Sequence, residues 1–397
     1  MQPLSQPASK RIQSIDLLRG LVMIIMALDH TRDLFHREAL TGNPLNLSTT
    51  TPFLYFTRWI THFCAPTFVF LSGLSIWLQS QRKTKAELSS FLLKRGLWLI
   101  LIEVTVVTLG ITGDIHFGFI VLQTIWAIGT SMFLLGLLIW LPFEVILILG
   151  LVIVFGHNAF DYTENHHPET LPAWWNFIHR QTFISLGNGR TLGDFYPFLP
   201  WTGLMMLGYC CGKLFSNVQP PRRNTILLWM GISCLIFFAV LRASNLYGDP
   251  GHWTPQRNSV FTFLSFMNVQ KYPPSLLYMS ATIGCGLIFL SMVKNTNSKL
   301  AKVIIIYGRV PFFYYILHFY VLHLLSIAMF LSNGHSVAEG MKGAPNKAFK
   351  FVMPGEGLSL GGVYLVWILV VVALYPLCKW YDRYKSAHPE KRWLSYL

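Results

Sequence analysis

The sequence is short of charge, and of negative charge above all: 17 Asp and Glu stand against 31 Lys and Arg, and charged residues make up only 12% of its 397 positions. That is roughly half the charged fraction of soluble domains, too little to coat a soluble globule. A cleavable leader is also lacking, because MQPLSQPASKRIQSID contains neither a compact apolar core nor a small-residue cleavage site. The first apolar stretch is therefore expected to be retained. The six cysteines (Cys64, Cys210, Cys211, Cys234, Cys285 and Cys378) all fall within or at the ends of apolar segments, with no paired spacing in a loop. This predicts neither a disulfide nor a metal site. Internal repeats and low-complexity tracts are missing as well.

What is present is apolar. Hydrophobic residues form 53% of the chain, and runs of 18 or more recur from Ile15 to Pro376. Spans are predicted near 15–36, 53–79, 90–112, 116–140, 142–157, 195–215, 224–243, 272–293, 303–331 and 361–382. The expected fold is all-α, a polytopic membrane bundle of about ten transmembrane helices. It forms one domain, 1–397, with a short cytoplasmic N-terminal segment 1–14 and a C-terminal tail 383–397.

The surplus of +14 could point to nucleic acid, but its placement points to topology. Lys10 and Arg11 precede the first span; Arg82, Lys83 and Lys85 follow the second, and Lys94 and Arg95 open the third. Lys213, Arg222 and Arg223, then Lys294, Lys299 and Lys302, then Lys379, Arg383, Lys385, Lys391 and Arg392 continue the pattern. Positive charge on the inner loops places both termini in the cytoplasm. Segments 158–194, 244–271 and 332–360 then face outward. The first carries Asp161, Glu164, His166, His167, Glu169, Trp174, Trp175, His179, Arg180, Arg190 and Asp194. Such a composition suits a sugar acceptor, and equally an interfacial aromatic belt.

Ionisable side chains at membrane depth cost about 2.5–3.5 kcal/mol each, so each needs a partner or a task. In the first span Asp16, Arg19, His30 and Asp33 share one helix face. Arg19 and His30 are separated by about 1100° of rotation and roughly 16 Å of rise. This stripe is expected to line an aqueous or substrate-filled passage. Arg58 and His62, at i and i+4, share a face of the second span at a depth where His62 and His30 can meet. A histidine there exchanges a proton near neutral pH, as a general base for a hydroxyl or amine must, although a structural role is the plain alternative. Lys94 and Arg95 open the third span, and Arg95, inside the apolar pattern, suits a phosphate. The ninth span, YGRVPFFYYILHFYVLH, places Arg309 and Pro311 at a kinked inner end and His318 near mid-depth. Paired histidines on different spans also suit haem, but no Cys-x-x-Cys-His supports it.

SIDLLRGLVMIIMALDHTRDLF and RWITHFCAPTFVFLSG resemble bacterial membrane proteins grouped with the heparan-alpha-glucosaminide N-acetyltransferase catalytic domain, and the wider transmembrane superfamily of acyltransferase-3 proteins. The likeness covers most of the chain. An Arg-Gly followed eleven residues after the Arg by a catalytic histidine falls on Arg19, Gly20 and His30; FVFLSG (Phe68 to Gly73), Lys94 and Arg95, and Tyr315 with His318 mirror further motifs. The resemblance implies ten helices in the bacterial inner membrane, an acetyl-CoA or other acyl-CoA donor from the cytoplasm, and a glycan-like acceptor acylated on oxygen or nitrogen toward the outer face. Membrane lipids are the other partner, and a homo-oligomer is left open.

On that reading acyl-CoA phosphates dock at Lys94 and Arg95, with the pantetheine arm along the stripe past Arg19. His30, oriented by Asp33 or Asp29, acts as the base, with His62 and His36 as competitors. Arg58, His318 and Arg309 are placed on the acceptor. The rival is a proton-coupled secondary transporter using the same residues as a relay; the missing repeat argues against it.

Overall fold

The computed structural model describes residues 12–38, 42–167, 170–343 and 348–395. Lys10, Arg11 and most of segment 1–14 lie outside them, as do Glu169 and the last two residues of the tail.

Helix α1 (Gln13–Phe35) is followed by α2 (Pro52–Trp59), which passes through a 3₁₀ turn, Ile60–Phe63, into α3 (Cys64–Ser80). Helix α4 (Lys85–Ile102) opens on a capping box in which Thr84 and Glu87 satisfy each other's backbone N–H groups. It continues through a π turn, Glu103–Val107, into α5 (Thr108–Thr112). Next come strand β1 (Phe119–Leu122), α6 (Thr124–Leu138), α7 (Phe143–Gly156), and the short α8 (Asp161–His166) and α9 (Trp175–Ile178). Strands β2 (Thr182–Gly187) and β3 (Arg190–Asp194) precede α10 (Phe198–Asn217), α11 (Pro220–Ser244), α12 (Ser259–Met267) and α13 (Leu276–Met292). Helices α14 (Lys299–Arg309), α15 (Pro311–Ser332), α16 (Val337–Lys342) and α17 (Leu360–Ala387) complete the bundle.

The protein is mostly helical, 71%. Pro52–Ser80, Phe143–His166, Pro220–Ser244, Pro311–Ser332 and Leu360–Ala387 are each long and apolar enough to cross a membrane. Val152 on α7, Trp229 on α11 and Val372 on α17 are 63%, 63% and 64% exposed, so large apolar side chains face outward where only lipid would accept them. The predicted ninth span breaks where expected. Pro311 has no N–H to continue α14, so that helix ends at Arg309 and α15 restarts.

The all-α expectation needs one correction. A three-stranded sheet, ordered β1-β3-β2, joins the residues before α6 to the segment before α10, with β1 parallel and β2 antiparallel to β3. The predicted span at 116–140 thus begins as a strand and becomes helical only at Thr124. Asn188 and Gly189, with φ of 50° and 73°, connect β2 to β3 in the left-handed conformation that two-residue hairpins require.

Helix α1 is central and touches α3, α13, α14, α15 and α17. Its closest partner is α14. A Cβ on Gly308 would overlap the Asp16 carbonyl, and one on Gly20 would overlap the Ile304 carbonyl, so the two backbones meet where only glycine fits. Gly308→Ala is expected to cost about 1–3 kcal/mol of overpacking and lower the melting temperature of the purified protein. Gly156→Ala, with open space around it, is the control that should leave melting unchanged.

Candidate active site

The C-terminal half of α1 forms one wall of a cavity to which α2, α3, α15 and the segment before α13 contribute the others. His30, Asp29, Asp33, Arg58, Lys271 and Tyr272 supply its polar lining, while Met26, Ala65, Phe68 and Phe319 supply its apolar lining. These positions are one helical turn apart on α1 (Met26, Asp29/His30, Asp33), which is why one face of one helix delivers so much of the site.

His30 donates from one ring nitrogen to a second histidine. Its Nδ1 lies 2.7 Å from His318 Nε2, and His318 Nδ1 lies 3.1 Å from the Tyr314 carbonyl. A carbonyl only accepts, so a neutral His318 carries its proton on Nδ1 and presents the lone pair of Nε2. The His30 proton is then on Nδ1, which leaves its Nε2 lone pair unprotonated. Phe319 stacks on the His30 ring at 4.2 Å and fixes its plane.

Beside it lies a buried charge network. Asp29 accepts from Arg58 at 2.9 Å and forms an ion pair with Arg32 at 2.9 Å, and Asp33 also pairs with Arg32. The Arg32 and Arg58 side chains are 5% and 12% exposed. Asp29, Asp33 and Arg58 line the cavity while Arg32 does not, and Thr61 accepts a further bond from Arg58 at 2.8 Å.

The competing histidines are placed differently. His62 sits in the 3₁₀ turn, 1% exposed, with its ring against Tyr278; neither ring nitrogen has a partner among the described residues, and it does not line the cavity. His36 lies beyond the end of α1 at a second, separate cavity, and its Nδ1 accepts the Glu38 N–H at 3.3 Å. In a neutral ring its remaining nitrogen is then protonated, so it offers a donor where a base needs a lone pair.

Residues 11–244, more than half of the chain, match the family described as heparan-alpha-glucosaminide N-acetyltransferase, catalytic. The chain belongs to that family. The family is one of membrane acetyltransferases, so membership implies an acetyl-transferring enzyme held in the bilayer by its apolar helices. No curated protein matches the chain. The matched region ends with α11, so His318 and Lys271, which meet the α1 residues at the cavity, lie beyond it.

In this family member the other sequence-predicted residues stand away from the cavity, Arg19 at the opposite end of α1. Arg19 pairs with Asp16 and donates to the Gly308 carbonyl and, at 2.9 Å, to Ser75 Oγ. Arg309 pairs with Asp382 at 3.0 Å, at the level of Asp16 and about 21 Å along α1 from His30. It therefore stands apart from the other two residues assigned to the acceptor, Arg58 and His318. Lys94 is exposed on α4, and the half-buried Arg95 lies over the Phe91 ring at 5.9 Å. Between the two polar ends Val22, Met23 and Met26 are buried, so the stripe read from the sequence is two polar clusters separated by packed apolar side chains.

Within the aromatic segment 158–194, the acidic and histidine side chains bond one another. Glu164 accepts from Trp175 Nε1 and His179 Nδ1, both at 2.6 Å, and His179 meets His157 at 2.9 Å. Asp194 ends β3, fully buried, and accepts the Tyr196 N–H at 2.9 Å; burial pushes its carboxyl up to about 8, so near neutral pH it is mostly protonated. Through that bond it sets the position of Tyr196, another lining residue. Arg32, Lys271, Tyr272 and Tyr196 escaped the sequence reading. Arg32 carried a signal, lying three residues from Asp29 and beside Asp33.

Proposed function

We propose that this protein is an acyl-CoA-dependent acetyltransferase of ten spans in a single domain of the inner membrane. Both termini face the cytoplasm, and the acetyl group passes to an amine or hydroxyl of a sugar or envelope glycan at the outer face. The observation that carries the reading is the His30–His318 pair, which leaves an oriented lone pair at a cavity in a chain of this acetyltransferase family.

In this mechanism His30 Nε2 takes the proton of the acceptor N–H or O–H as the nucleophile attacks the thioester carbonyl. A tetrahedral intermediate forms, the C–S bond breaks, and the CoA thiolate leaves with the proton returned by His30. His318 holds the His30 ring in the required tautomer and shares the charge that appears on it. The Asp29–Arg58–Arg32–Asp33 network fixes the cavity wall and favours the imidazolium through its nearest carboxylate. Arg58, at the rim, is the acceptor-binding residue, and His318 acts through His30. Arg309 belongs instead with Arg19, Lys94 and Arg95 on the donor side, where basic groups meet CoA phosphates.

Calorimetry with acetyl-CoA tests the donor half. Arg95→Ala is expected to weaken binding by about 10- to 100-fold, the loss of one charge-assisted bond. Lys213→Ala, on α10 and over Phe143, should leave it unchanged. Equal affinity in wild type and Arg95→Ala would move the donor phosphates elsewhere.

A further inference from the structure

The charges of the cavity lining and of Arg32, which pairs with it, do not cancel. Asp29 and Asp33 supply two negative charges, and Arg32 and Arg58 are the two cations that pair with them. Lys271 adds a third cation to the lining and makes no ion pair with a carboxylate among the described residues. Its Nζ lies 5.1 Å from the ring of its neighbour Tyr272. With His30 and His318 neutral, the lining together with Arg32 holds one positive charge in excess at rest.

The backbone that presents this lysine is unusually well anchored for a connection between helices. Asp249 Oδ2 accepts the N–H of Gln270 at 2.8 Å and the hydroxyl of Ser275 at 2.6 Å. Arg242, 2% exposed on α11, donates to the carbonyls of Ser265, Phe266 and Asn268. A buried arginine and a buried aspartate thus tie down both sides of Lys271. Such support holds a group in place before a reaction rather than letting it drift in water.

We infer that Lys271 is a catalytic residue of the transfer proposed above, on which this inference rests: its ammonium stabilises the oxyanion that forms at the thioester carbonyl. As the acceptor nitrogen or oxygen bonds to the carbonyl carbon, the C=O π pair moves to oxygen and the acceptor proton moves to His30. The proton on His30 and the negative charge on that oxygen appear together, so the net charge is unchanged, but the oxyanion is paired with Lys271, the lining cation that makes no ion pair with a carboxylate among the described residues. When the intermediate collapses, the pair returns to re-form C=O, the C–S bond breaks, and the thiolate takes the proton from His30. That ammonium–oxyanion pair exists only while the oxyanion does, so the lysine favours the transition state over the bound thioester. Arg32 and Arg58 are less suited to this task because each is committed to Asp29.

The test compares wild type, Lys271→Met and Lys271→Arg in acetyl transfer from acetyl-CoA to glucosamine, with acetyl-CoA affinity measured by calorimetry. Lys271→Met is expected to lower kcat by about 10²- to 10³-fold, the loss seen when one oxyanion donor is removed, with acetyl-CoA affinity and the KM for glucosamine within about threefold of wild type. Lys271→Arg should recover part of kcat. Lys271→Cys, alkylated with 2-bromoethylamine to rebuild an ammonium at nearly the same reach, should recover more, which a loss of folding would not allow. A Lys271→Met enzyme with kcat within threefold of wild type overturns the inference and leaves the proposed reaction standing, as does a loss confined to KM. Wild type that transfers no acetyl group to glucosamine overturns both.

Discussion

Replacing His30 by Ala is expected to lower the rate of acetyl transfer by about 10²- to 10⁴-fold while acetyl-CoA still binds with wild-type affinity. The separation follows from where the residues stand. His30 opens on the cavity, whereas Arg19 lies on the other side of the buried Val22, Met23 and Met26, and Lys94 and Arg95 on α4 do not line the cavity. His318→Phe removes the acceptor of the His30 Nδ1–H without opening a large hole. It is expected to reduce kcat less than His30→Ala and to displace the pH profile of kcat, because the ring loses the partner that sets its tautomer and shares its charge. A His30→Ala enzyme with ordinary turnover would remove this histidine from the mechanism and return His36 and His62 to consideration.

Asp29→Ala should be the most destabilising single change in the site. It leaves two buried guanidiniums, Arg32 and Arg58, without the carboxylate they share at 2.9 Å. Removing one member of a buried ion pair costs about 3–5 kcal/mol, chiefly because the remaining charge stays out of water. A large drop in melting temperature and in the yield of monodisperse protein is therefore expected. The double change Asp29→Leu with Arg58→Met should recover part of the loss, since it removes the orphaned charge together with its partner. If Asp29→Ala melts with wild type, the network is not a structural unit and Asp29 is free to act in chemistry.

Much of the bundle was legible because its signals are local. Length and hydropathy mark apolar helices whatever they pack against, and a proline after Arg309 breaks a helix in any context. The Arg19–Gly20–His30 spacing works in the same way, being a statement about one helix. The hairpin was legible in principle, since Asn188–Gly189 between Thr182–Gly187 and Arg190–Asp194 is a strong turn signal, but the polar and aromatic character of the segment masked the alternation.

The rest of the site depends on tertiary placement. Nothing in the periodicity of α1 says that His318, 288 positions away, meets His30, or that the connection before α13 brings Lys271 to the same cavity. The stripe was misjudged for a related reason. Helical spacing aligns Arg19 with His30 but carries no information on what fills the turns between them, and there Val22, Met23 and Met26 are packed against other helices. Arg309 shares its predicted span with His318, and the sequence alone does not separate the two. The break at Pro311 and the pairing with Asp382 put it at the far end of that span.

The central claim is that an acetyl group, and not the acceptor, crosses the barrier between the two polar clusters. It is tested most directly by sealing purified protein in liposomes with glucosamine on one side and radiolabelled acetyl-CoA on the other. The account predicts labelled acetylglucosamine on the sugar side with wild type, none with His30→Ala, and no movement of sugar when acetyl-CoA is omitted. Accumulation of unmodified glucosamine across the membrane without acetyl-CoA would contradict it and identify the same residues as the relay of a transporter.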